Sequence, residues 1–189
     1  MFWYFINMKS QNDKTLKELM PYIPGDIKEP QETVDAVIYK ITDVIHHMHT
    51  VTVEPGVEIA RSLSIYIDTL INGSVRLGFD LSVIVIGILV GTFRSNRSIR
   101  QEAHKTIRLL VNEVLQSVFK YNGDAKKAVD GLLSAIVIIA KEQKLNTREA
   151  LIVTVEDILS SAKKIDSEFA ERIRISIPKE YDGLRIEGS

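Results

Sequence analysis

An all-α bundle of about six antiparallel helices, built around one fully apolar central helix at Leu77–Phe93, is the fold this sequence predicts. Three observations predict it. Apolar residues recur at steps of three and four from Val34 onward, the spacing of one helix face. Four of the five prolines stand at or before Pro55, so Gly56–Ile177 is free of the strongest helix breaker. Leu81–Phe93 carries no charge at all, and a helix apolar all round must be covered all round.

The elements follow in order. Met1–Ile6 reads Met-Phe-Trp-Tyr-Phe-Ile, too short and too little basic for a signal peptide. Met8 is a second plausible start, so this segment is expected to be a dispensable extension or an aromatic anchor. Residues 1–30 form an extension and linker, with a short helix at Asp13–Met20 and a linker at Pro21–Pro30. The bundle domain spans 31–175. Its first helix follows Pro30, with Val34, Val37, Ile38, Ile41, Ile45 and Met48 on one stripe.

The second helix is expected at Val57–Ile71, with Asn72-Gly73 as its stop. The third is the apolar segment, about Val75–Phe93. Ser95–Ser98 then punctuates the chain, and Ser98 with Gln101 has capping-box spacing. Ile99–Phe119 is the fourth helix, closed by Asn122-Gly123. Asp124 caps the fifth, which carries Val129, Leu132, Leu133, Ile136 and Ala140. Asn146 and Glu149 open the sixth, with Leu151, Val155, Ile158, Leu159 and Ala162. Residues 176–189 are expected to be an irregular tail. The short loops favour antiparallel neighbours.

A faint internal repeat has an offset of 22 residues: Ile107, Leu110, Val111 and Val114 map onto Val129, Leu132, Leu133 and Ile136, then onto Leu151, Thr154, Val155 and Ile158. It is either a helical repeat array or a chance alignment of similar amphipathic helices.

Thirteen apolar residues make a helix of about 20 Å, short of the hydrocarbon core of about 30 Å. Burial within the bundle is therefore the favoured reading of the central helix. Gly87 and Gly91 would let a neighbour approach closely.

Charge excludes some classes of function. Lys and Arg number 24 against 25 Asp and Glu, which gives no global attraction to nucleic acid or an anionic surface. The absence of cysteine removes disulfides, thiolate zinc sites and cysteine nucleophiles, and fits a cytoplasmic location. Glycine-rich phosphate loops, nucleophile elbows and paired metal-binding histidines on one helix are missing.

Two local clusters stand out. Arg94, Arg97, Arg100, His104 and Arg108 would project from one side of a continuous helix. Such a face can hold an anion or a partner, or pair with carboxylates of the next helix. Asp43, His46 and His47 share a polar side of the first helix and are a weak candidate metal site.

The function expected is non-enzymatic: a helical-bundle binding or assembly protein, with a protein partner or a second copy of itself and no cofactor. The self-association reading rests on apolars such as Ile65, Ile84 and Ile138 that a monomer leaves uncovered. The alternatives are a bundle that exposes its apolar helix at an anionic membrane, and a metal-dependent enzyme centred on Asp43, His46 and His47.

Overall fold

The computed structural model describes residues 38–39, 42, 57–95, 103–181 and 183–185. The chain is an all-α helical bundle. Six helices have described bounds: α1 (Val57–Leu77), α2 (Leu81–Ser95), α3 (Ala103–Lys120), α4 (Ala125–Gln143), α5 (Thr147–Ile165) and α6 (Ser167–Ser176), and Ile38, Tyr39 and Thr42 are helical as well. A short antiparallel hairpin, β1 (Glu180–Tyr181) and β2 (Leu184–Arg185), follows them, so the tail expected to be irregular contains ordered structure. The expected short helix at Asp13–Met20, the Pro21–Pro30 linker and the Ser98–Gln101 cap lie outside the described residues.

The boundary before the apolar helix is corrected. Asn72-Gly73 does not stop α1, because Gly73 and Ser74 are buried inside the last turns of a helix that runs on to Leu77. The break comes at Gly78, whose φ of +70° is a conformation open to glycine at little steric cost. Phe79 N–H donates to Ser74 O at 3.0 Å and closes the turn. The Asp80 carboxylate then accepts from the Ser82 N–H and hydroxyl, at 3.0 and 2.8 Å, and helps to start α2. The apolar helix is therefore Leu81–Ser95 rather than Leu77–Phe93, and Leu77 is exposed at the end of α1.

Other ends follow their sequence signals more closely. Asn122 takes the left-handed φ of 52° while Gly123 N–H donates to Val118 O at 2.8 Å, a Schellman-type finish to α3. Gly123 is closely packed: a Cβ there would sit 3.3 Å from both Leu81 Cδ2 and Val75 Cγ2, side-chain methyls that would have to give by a few tenths of an ångström. Asp124 caps α4 by accepting from Lys127 N–H at 3.0 Å. Asn146 caps α5, accepting from Arg148 and Glu149 N–H. Asp166 does interrupt the last helical stretch, accepting from Phe169 N–H at 2.8 Å to open α6.

The helices stack in two rows. Each packs on its neighbour in sequence and on the next but one: α1 on α2 and α3, α2 on α3 and α4, α3 on α4 and α5, α4 on α5 and α6, α5 on α6. One row is thus α1, α3, α5 and the other α2, α4, α6. Side chains spanning a row tie residues 49 apart: Ser64 to Glu113, Ser117 to Asp68, and Arg108 to Asp157. A separation that stays constant along the pair means that helices of one row run the same way, each antiparallel to its sequence neighbours.

The helices α3, α4 and α5 start at Ala103, Ala125 and Thr147, 22 residues apart. Core positions keep that step: Ile107, Val129 and Leu151 are buried, as are Leu110, Leu132, Thr154 and Val114, Ile136, Ile158. The step extends back through Val85, Ile88, Leu89 and Leu63, Tyr66, Ile67, all buried. Equal spacing of equivalent core positions in the rows is what a stack of similar helices requires.

The apolar helix α2 sits among α1, α3 and α4. Val85, Leu89 and Val90 are fully enclosed, and Val83 and Ile86 are half-buried. Ile84, expected on the surface, is buried, and Ile65 and Ile138 are half-buried, so they do not form the exposed patch that the sequence suggested. Helical residue Thr42 lies over α2, its hydroxyl 3.4 Å from Gly91 O. Against α4 the close approach is made by Gly131, where a Cβ would meet Ser82 O at 2.7 Å and Val85 Cβ at 2.8 Å.

Candidate functional site

The row of α1, α3 and α5 presents an outward face whose composition repeats every second helix. Ile65, Leu109 and Val153 occur at equal steps of 44 residues, on the side of each helix nearly opposite its buried midline. Leu109 is exposed, and the two flanking residues are half-buried.

Next to this stripe a groove of about 520 Å³ opens between α1 and α3 and reaches the end of α5. Its apolar walls are Ile65, Phe119 and Ile165. Phe119 is held from behind by Phe169 of α6, ring centroids 5.3 Å apart. Polar groups supply the rest of the lining. Asp68 of α1 accepts from Lys120 Nζ at 3.0 and 3.1 Å, from the Tyr121 hydroxyl at 2.7 Å and from Ser117 Oγ at 3.4 Å. Tyr121 and Asp68 together hold the Lys120 ammonium above its ordinary pKa, and the ammonium lies 4.9 Å from the centre of the Tyr121 ring. Glu113 of α3 accepts from the Ser64 hydroxyl at 2.5 Å. The groove thus joins two carboxylates, one ammonium already engaged by Asp68, the Gln116 amide and three apolar side chains. Its hydroxyls, from Ser64, Ser117 and Tyr121, are all directed at the two carboxylates.

The three described members of the basic cluster read from sequence stand on two helices. Arg94 lies in the last turn of α2, whereas His104 and Arg108 lie on α3, so these three do not share one helix face. The Arg94 guanidinium pairs with Glu142 of α4 through Nη2 and through Nε at 3.2 Å. Arg108 Nε meets Asp157 Oδ1 of α5 at 3.3 Å. Both described arginines thus face acids of the next helix in their row, and His104 is exposed. Arg97 and Arg100 lie outside the described residues, as do Asp43, His46 and His47. Among the described residues no group of three His, Asp or Glu side chains is arranged to hold a metal ion. No described helix is long and apolar enough to cross a membrane.

Sequence reasoning missed Asp68, Glu113, Lys120 and Tyr121. The available signal was the repeat: doubling its 22-residue step brings residues of α1 and α3 side by side. No protein-family model matches the chain, and comparison with curated proteins finds no match.

Proposed function

We propose that this protein acts by binding and assembly, as a stack of helices that offers the face of α1, α3 and α5 to a protein partner, including a second copy of itself. The observation that supports this reading is the apolar stripe of Ile65, Leu109 and Val153 along that face, beside a groove with polar groups at fixed positions. A closed bundle buries its repeats around one axis. A two-row stack keeps one side of each row open to solvent, and equivalent residues line up along it. An apolar ladder within a polar surround is the usual composition of a contact surface.

Sedimentation over a wide range of protein concentration tests the self-assembly arm. The expected result is a shift from monomer toward dimer, abolished by Leu109→Asp at a position 37 % exposed, with an unchanged helical circular-dichroism spectrum as the check that the variant folds. A native chain that stays monomeric throughout removes self-assembly from the reading.

A further inference from the structure

The groove between α1 and α3 has an unbalanced charge. Asp68 is saturated by Lys120, Tyr121 and Ser117. Glu113 has a neutral partner, the Ser64 hydroxyl on Oε2, and no cation among its described contacts. One carboxylate of the pair therefore remains uncompensated, on the wall of a groove bounded by Ile65, Phe119 and Ile165. The equivalent position one row-step on is Asp157, and there the compensating cation is present: Arg108 approaches from the residue equivalent to Ser64. The stack thus repeats the same cross-helix pair twice, once as Arg108 with Asp157 and once as Ser64 with Glu113. In the second pair the place of the arginine is taken by a short hydroxyl, and the groove opens at this pair.

We infer that the groove takes a basic side chain, arginine or lysine, from an apolar segment of a partner protein, with its charged end at Glu113 and its flanking apolar residues on Ile65, Phe119 and Ile165. Charge complementarity selects the cation, since a net negative groove repels an acidic segment and gives a neutral one nothing to pair with. Gln116, exposed at the rim, supplies an amide that can both donate to and accept from a peptide backbone. The groove is open rather than enclosed, which suits a side chain presented by a larger surface better than a free small molecule. This inference rests on the binding reading above and names the chemistry of the partner.

Two pools of short fluorescent peptides test it against the full chain, by anisotropy. One pool has arginine fixed at the centre among alanine, leucine and valine; the other has citrulline in its place, the same shape without the charge. The arginine pool is expected to bind, to weaken with salt, and to lose about tenfold in affinity in Glu113→Gln, roughly one charge-assisted hydrogen bond. Gln116→Lys, an exposed change that does not touch the core, is expected to weaken it similarly. Glu156→Gln, an exposed carboxylate on α5 outside the groove, is expected to bind as the native chain does. Equal binding of both pools, no binding of either, or native affinity in both groove variants would overturn the inference. Arginine amide competing as well as the peptides would replace the partner segment with a small organic cation. A monomeric chain that binds the arginine pool loses self-assembly and keeps the groove. A self-associating chain that ignores both pools loses the groove and keeps self-assembly.

Discussion

The Tyr66 hydroxyl of α1 is buried without a hydrogen-bond partner among the described residues, in a core of Ile and Leu side chains. Burial pushes its phenol well above the ordinary tyrosine value, so the group is neutral at any physiological pH. An unmade hydrogen bond in such a place costs about 1–3 kcal/mol. Tyr66→Phe keeps the ring and removes only the orphaned oxygen. It is expected to leave stability unchanged or to raise it by about 1 kcal/mol, measured by urea unfolding. A loss of more than about 1 kcal/mol would show that the hydroxyl has a partner, such as an ordered water, and that its orphaned state is wrong. Asp157 is half in the same position: its Oδ1 is paired with Arg108 at 3.3 Å, while its buried Oδ2 has no hydrogen-bond partner among the described residues.

At the scale of the element, the contact of α2 with α4 is set by Gly131. A methyl there would overlap Ser82 O and Val85 Cβ, and backbone cannot yield as a flexible side chain can. Gly131→Ala is therefore expected to destabilise the fold by about 1–3 kcal/mol, although alanine is the better helix former. A stabilised variant in thermal unfolding would mean that the two helices are farther apart than this. The turn into α2 has a pH signature. Burial tends to raise the Asp80 pKa, but hydrogen bonds from Ser82 and the charge of Lys127 outweigh it and hold it below the ordinary value. A carboxylate depressed in the folded state stabilises above its unfolded pKa of about 3.9 and loses that contribution as pH falls through the folded value. Asp130, raised chiefly by burial, works in the opposite sense, so the Asp80 part is isolated by difference. Asp80→Asn is expected to be less stable than the native chain near neutral pH and equal to it in strong acid. A gap that persists below both pKa values would assign the effect to shape rather than charge. Much of this level was legible in the sequence. Asp124 and Asn146 stand where a helix start needs a side-chain acceptor, and they cap α4 and α5. The end of α1 was misplaced because Asn72-Gly73 has the composition of a stop, whereas tertiary packing buries Gly73 and carries the helix on to Gly78. The groove was not legible, because Asp68 and Lys120 meet only once the stacking of α1 on α3 is known.

At the scale of the whole molecule, the two-row stack makes a claim about cooperativity that a closed bundle would not share. Helices α3 and α4 are held from both sides along their rows, by α1 and α5 and by α2 and α6. At the C-terminal end, α6 packs chiefly on α4 and α5 among the described elements, with Phe169 also reaching Phe119 of α3, and it has no described neighbour beyond it in its row. Stability in a stack is close to a sum of local terms and interfaces between neighbours, so its ends open at lower free energy than its middle. Amide exchange is expected to be slowest in α3 and α4 and faster in α6. Ile173→Ala removes buried methyl groups from that end and should cost about 2–5 kcal/mol locally. The expected outcome is faster exchange in α6 and the adjoining turns of α5, with α1 and α2 protected as in the native chain. In a single cooperative core the same substitution would lower the protection of the slowest amides everywhere by one common amount. That uniform loss would refute the stacked description, and with it the open face of α1, α3 and α5 on which the binding role depends.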